Sequence, residues 1–161
     1  MSSVKIREIQ QSDNQEVAVM IRKVLIEMDV PKVGTAYADK ALDRMYETYD
    51  ADKAVYFILE EDGRILGGAG IAQLQNFDGP ICELQKMYFL PEARGRGLGR
   101  AMMDTCLEKA AAFGFEQVYI ETMPNMDHAQ KLYIKSGFRY IDAPMGNTGH
   151  SSCPVWLIKD L

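Results

Sequence analysis

The sequence predicts an α/β fold in which a mixed sheet of about seven strands carries about four helices on its two faces. Two observations predict it. Apolar residues recur with the period of a strand in short runs and the period of a helix in longer ones, in the order strand, two helices, three strands, helix, strand, helix, two strands. An early hairpin is followed by a strand–loop–helix–strand unit, so antiparallel and crossover connections meet in one sheet. No internal repeat, low-complexity tract or linker interrupts the 161 residues, and 1–161 reads as a single domain.

The elements follow in order. Val4 to Ile9 alternates apolar and polar residues, as a half-buried strand does. Ser12, Asp13 and Asn14 offer N-cap oxygens to a helix whose inward face is Val17, Met20, Ile21, Val24, Leu25 and Met28. Ala38 to Tyr49 reads as a second helix, with Ala41, Leu42, Met45, Tyr46 and Tyr49 on one side. Ala54 to Leu59 is a buried strand, the segment from Glu60 to Arg64 a turn, and Ile65 to Leu74 the returning strand. Gly67, Gly68 and Gly70 are unusual there, because glycine weakens a strand unless a bulge or close approach requires it.

Ile81 to Leu90 is the next strand, stopped by Pro91. A loop then leads into a helix from Leu98 to Phe113, with Leu98, Met102, Cys106, Ala110 and Phe113 inward and Gly114 at its end. Gln117 to Glu121 is a strand, and Asp127 to Ser136 a helix with Ala129, Leu132, Tyr133 and Ser136 on one face. Two short strands near Phe138–Ile141 and Val155–Ile158 complete the chain.

Composition narrows the function. A net charge of −5 argues against general nucleic-acid binding, which needs an extended basic surface. No apolar run approaches the roughly 20 residues that span a bilayer, and Met1 to Lys5 lacks the apolar stretch of a secretory signal, so a cytoplasmic protein is expected. Cys82, Cys106 and Cys153 lack framework spacing and read as reduced thiols.

The chemistry concentrates in Arg94, Gly95, Arg96, Gly97, Leu98, Gly99 and Arg100. Glycines at alternate positions let a backbone approach a ligand closely. The first amides of the following helix have no intrahelical partners and attract phosphate oxygens, and three arginines add bidentate donors. A P-loop would need Lys-Ser/Thr after its last glycine, where Arg100 and Ala101 stand. The spacing is G-x-G-x-G rather than G-x-G-x-x-G, yet Glu121 ends the next strand as a ribose-binding acid would, so a dinucleotide-binding oxidoreductase stays open as an alternative.

Together these residues resemble the GNAT superfamily of acetyl-coenzyme A-dependent N-acetyltransferases. Arg94 to Gly99 matches the family's R/Q-x-x-G-x-G/A motif. The match extends upstream through Cys82 to Glu92 and downstream to Ala129–Phe138, similar to the A-x-x-L-Y-x-x-x-G-F signature. The resemblance implies a mostly antiparallel sheet with splayed central strands. It places pantetheine along the backbone of Met87, Tyr88 and Phe89, the pyrophosphate on residues 94–100, and acetyl-coenzyme A as cosubstrate without a metal. It further implies transfer to a primary amine, on a small molecule or a peptide or protein, by direct attack, in a monomer or homodimer.

Two proton movements are required: the attacking ammonium must lose one, and the leaving thiolate benefits from gaining one. The resemblance assigns the acid to Tyr133. Glu83 is the expected base, and simple alternation puts it on one face with Gln85 and Met87. Many relatives carry asparagine where Met126 stands here, which leaves Asn125 as the cofactor contact. His150 and Cys153 have the look of half a metal site without further ligands at matching spacing, and His150 is a candidate substrate contact, as are Tyr37, Tyr46 and Tyr49. A non-catalytic sensor of acyl-coenzyme A is the remaining alternative.

Overall fold

In this computed structural model residues 3–29, 40–148 and 153–161 are described. Seven strands form one sheet in the order β1 (Val4–Glu8), β2 (Val55–Glu61), β3 (Arg64–Gln73), β4 (Ile81–Phe89), β5 (Gln117–Thr122), β7 (Val155–Asp160) and β6 (Arg139–Ile141). Every pairing is antiparallel except β4 with β5, where the chain crosses over through helix α3 (Leu98–Ala112). The mixed, mostly antiparallel sheet expected from the sequence is the sheet observed.

Helix α1 (Asn14–Glu27) buries Val17, Met20, Ile21, Val24 and Leu25, the face its periodicity announces. The caps differ from expectation. Asp13 does not cap α1; its carboxylate takes two bonds from Arg7, at 2.8 and 3.0 Å, and one from the Gln10 amide. Asn14 instead reaches across to accept the Tyr46 N–H at 2.8 Å. That contact explains why the helix expected at 38–49 is shorter. Lys40–Arg44 is a 3₁₀ turn, Arg44 leaves helical geometry at φ −136°, and α2 spans only Met45–Tyr49, while residues 38 and 39 lie outside the described residues. A side chain from a distant helix supplies the cap, which no local pattern reveals.

The glycines of β3 answer a packing demand. Tyr56 on β2 pairs with Gly70, and its ring lies flat across β3. A Cβ on Gly68 would stand 2.5 Å from that ring, and one on Gly70 2.7 Å from it and 2.9 Å from the Tyr49 ring. Both tyrosines are buried, with centroids 5.3 Å apart. Gly68→Ala is therefore expected to cost about 1–3 kcal/mol by overpacking, read as a lower midpoint in urea with an unchanged slope.

The two faces of the sheet are distinguishable. Tyr49 of α2 covers the face of Gly68 and Gly70. The start of α3 and helix α4 (Asp127–Lys135) cover the other, since a Cβ on Gly99 would come within 3.3 Å of Leu132 and 3.8 Å of Phe89. Helices on both faces thus bury the sheet, with Met102, Met103, Cys106 and Ala110 of α3 in the main core.

Candidate active site

Parallel pairing between β4 and β5 joins only Ile81, Cys82 and Glu83 to Gln117, Val118 and Tyr119. Beyond that point β4 runs on to Phe89 and β5 to Thr122 with no pairing between them. The strands splay, and the cleft between them is lined by residues 83–88 of β4, 120–122 of β5, Met123, Met126, Tyr133 and Cys153. A larger, more open depression of about 740 Å³ at the opposite end of these strands, around Phe77, Pro80, Phe115 and Asp160, holds none of the expected site residues.

The splay has a local cause. Gln85 pairs with Gly70 and Tyr88 with Gly68, so Lys86 and Met87 together oppose Ala69. This is a β-bulge, which bends a strand and raises its twist. Lys86 pays for it with φ +51°, a left-handed conformation that L residues rarely adopt. Its carbonyl accepts a bond from the Tyr56 hydroxyl at 2.8 Å, which holds the bulge in place across the glycine track. The bulge corrects one expectation: by register Tyr88, not Met87, shares a face with Glu83 and Gln85.

Glu83 is only 2% exposed. Its Oε1 accepts from Gln85 Nε2 at 2.6 Å, and Gln85 Oε1 accepts from the Tyr49 hydroxyl at 2.5 Å. Burial pushes the Glu83 carboxyl up to about 7, reinforced by the charge of Glu121 and opposed by the Gln85 donor and by Lys86. A carboxylate poised there exchanges protons at neutral pH. Glu121 sits on the same face of β5, accepting bonds from Tyr119 and Thr148, and the Tyr119 hydroxyl also accepts the Met145 N–H.

Tyr133 comes from α4. It is 5% exposed, its ring packs against Phe138 at 6.1 Å, and no described side-chain hydrogen bond occupies its hydroxyl. Burial raises its proton affinity above the ordinary tyrosine value, so it enters the cleft as a proton donor. Glu83 and Tyr133 thus line one cleft from different layers of the fold.

At the end of β4 the loop turns through Gly95 at φ +72° and Gly97 at φ +74°, with open space where either Cβ would project. Gly97 is the N-cap of α3 and supplies no side-chain cap, so the amides of Leu98, Gly99 and Arg100 face outward from the helix start. The arginines are held nearby by carboxylates. Arg94 pairs with Glu27 at 2.7 Å and donates to the Phe89 carbonyl, Arg96 pairs with Glu61 at 2.8 Å, and Arg100 with Asp104 at 3.3 Å. Such exposed pairs are worth little and exchange readily for a better anion.

Of the remaining candidates, Asn125 faces away from the cleft and donates to the Met28 carbonyl at 2.7 Å, while Met126 lines the cleft. Cys82 and Cys106 are buried, the first with its thiol pushed up to about 12 by burial, which makes neither a nucleophile. His150 and Tyr37 lie outside the described residues. Sequence reasoning missed Tyr56, whose hydroxyl holds the bulge, and the place of Cys153 in the cleft lining; only the β3 glycines signalled that something crosses that strand.

Splayed strands, a bulge at their parting and a glycine loop opening a helix define an acyl-coenzyme A-type transferase fold, and comparison with known proteins agrees. The Acetyltransferase (GNAT) family profile matches residues 22–138. The chain is 38% identical over 156 residues to the uncharacterized N-acetyltransferase YjgM of Escherichia coli K12, covering 96% of this chain and 93% of that one. It superposes on an acetyltransferase of the GNAT family from Staphylococcus aureus Mu50 with a TM-score of 0.88 at 19% identity, covering 99% of both chains. It also superposes on the PaiA N-acetyltransferase of Thermoplasma acidophilum, solved in complex with coenzyme A, with a TM-score of 0.75 at 14% identity and 99% of both chains.

This chain belongs to the GNAT acetyltransferase family. It is an acetyl-coenzyme A-dependent N-acetyltransferase, an acyltransferase whose class acetylates amines. The dinucleotide-binding oxidoreductase reading falls with that finding: the glycine loop follows the fourth strand of a largely antiparallel sheet, not the first strand of a parallel one. No described helix is long and apolar enough to cross a membrane.

Proposed function

We propose that residues 1–161 act as one catalytic unit that transfers acetyl from acetyl-coenzyme A to a primary amine by direct attack, with Glu83 as base and Tyr133 as acid. The observation that carries this reading is that a buried carboxyl poised near pH 7 and a tyrosine hydroxyl without a described partner line the same cleft. Glu83 takes the proton that the acceptor's ammonium must lose, directly or through water, and Tyr133 gives one to the departing thiolate. A non-catalytic sensor of acyl-coenzyme A has no need of either group.

The chain's own backbone serves the cosubstrate. Beyond the bulge, the unpaired edge of Met87, Tyr88 and Phe89 suits the amides of pantetheine as an added strand would. Gly95, Gly97, Leu98, Gly99 and Arg100 suit the pyrophosphate through outward amides and charge, with Arg94 and Arg96 adding their guanidinium groups. We place the enzyme in the cytoplasm as a monomer or homodimer acting on a small-molecule, peptide or protein amine, without a metal.

Thiol release from acetyl-coenzyme A, screened against a panel of amines, tests the reading. An amine-dependent rate supports it, and tight binding with no release on any amine would support the sensor. Gly97→Ala is expected to weaken acetyl-coenzyme A binding about tenfold, because the strain of a left-handed alanine, about 1–2 kcal/mol, falls on the loop itself; calorimetry measures it.

A further inference from the structure

Tyr49 belongs to the short helix α2, yet its hydroxyl reaches the strand that carries Glu83. The path is built. Gly70 on β3 lacks the Cβ that would meet the Tyr49 ring at 2.9 Å, and the Tyr56 ring supports it from beside at 5.3 Å. The hydroxyl then donates to Gln85 Oε1, which leaves Gln85 Nε2 to donate to Glu83 Oε1. All three groups are at least half-buried, so the chain of bonds is shielded from competing water.

We propose that Tyr49 is a positioning residue: acting through the Gln85 amide, it holds a hydrogen-bond donor on Glu83 and so favours the proton-accepting form of that carboxylate. The inference rests on Glu83 being the base. The direction follows from charge. Donation into a carboxylate polarises the whole chain, so each bond strengthens the next, and this gain is largest when Glu83 is ionised. Without the hydroxyl, Gln85 Oε1 loses its donor, the amide is free to turn its carbonyl toward Glu83, and the ionised form loses support. Among the described residues the other titratable groups around Glu83 are Glu121 and Tyr119 on β5, Lys86, Tyr88 and Cys82 on β4, Cys153 ahead of β7, and Tyr133 of α4 in the same cleft. None of these lies on α2, and the described path from Tyr49 to Glu83 runs through Gln85.

The test titrates the Glu83 carboxyl by ¹³C NMR in glutamate-labelled protein, its signal identified by loss in Glu83→Gln. Tyr49→Phe keeps the ring on the glycine track and is expected to raise the Glu83 midpoint by about half a unit; Gln85→Leu, which removes the donor, raises it by about one unit or more. The low-pH limb of kcat/KM for the amine should move with it. A midpoint that stays in place in Tyr49→Phe overturns the proposal, whether or not Gln85→Leu moves it or the variant melts earlier. A midpoint that moves while the rate limb stays supports the relay and removes Glu83 as base, so the two readings fail separately.

Discussion

Tyr133→Phe is expected to lower kcat by about 10²–10⁴-fold while leaving the acetyl-coenzyme A dissociation constant within about twofold. The hydroxyl has no described hydrogen bond to lose, so the ring keeps its packing against Phe138 and the fold keeps its stability. What disappears is the proton for the thiolate, which matters only as charge develops on sulfur. An effect confined to kcat is the signature of a group used in the transition state. Steady-state thiol release beside calorimetric binding checks it, and an unchanged kcat would remove Tyr133 from the acid role. An activated thioester or a more acidic leaving thiol should narrow the gap between variant and parent.

Glu83→Gln is expected to abolish the low-pH limb of kcat/KM, which in the parent rises through about pH 7 as the carboxyl ionises. The same substitution has a stability consequence of opposite sense. Folding raises this carboxyl from 4.5 to about 7, so between those values the folded state holds the extra proton. Glu83 therefore costs nothing below about pH 4.5, and its burial destabilises the fold increasingly as pH rises through about 7. A shift of this size corresponds to about 3 kcal/mol at most. Glu83→Gln, which cannot ionise and still accepts from Gln85, should be more stable than the parent above pH 7 by up to that amount and equal to it near pH 4. Urea midpoints at the two pH values measure it. A less active but more stable variant is what a strained catalytic group predicts. Equal stability at high pH would mean that Glu83 is not poised by burial.

Much of the fold was legible in the sequence because local spacing decides it. The apolar faces of α1 and α3 appear as their periodicities indicate, and the strands fall within a residue or two of the expected runs. The glycine loop was legible for the same reason, since alternate glycines before a helix constrain only their immediate neighbours. The second helix was not. Its start depends on Asn14, a residue of another element, and its apolar spacing alone extends it too far.

The site divides along the same line. Glu83, Tyr133 and residues 94–100 were identified by residue type and motif, without the geometry that joins them. The alternation that put Met87 beside Glu83 assumed a regular strand. The bulge at Lys86 breaks it, and the bulge is held by Tyr56, a partner two strands away. The three glycines of β3 announced a close approach without naming what approaches; the structure supplies the Phe89 ring at Gly67 and the Tyr56 and Tyr49 rings at Gly68 and Gly70. So the sequence by itself determined the order of elements and the family, and singled out the glycine loop, Glu83 and Tyr133 as candidates. Tertiary structure alone decided where the strands part, which side chains share the cleft and how far burial raises Glu83, because desolvation and strand pairing depend on atoms that are distant in the chain and near only after folding.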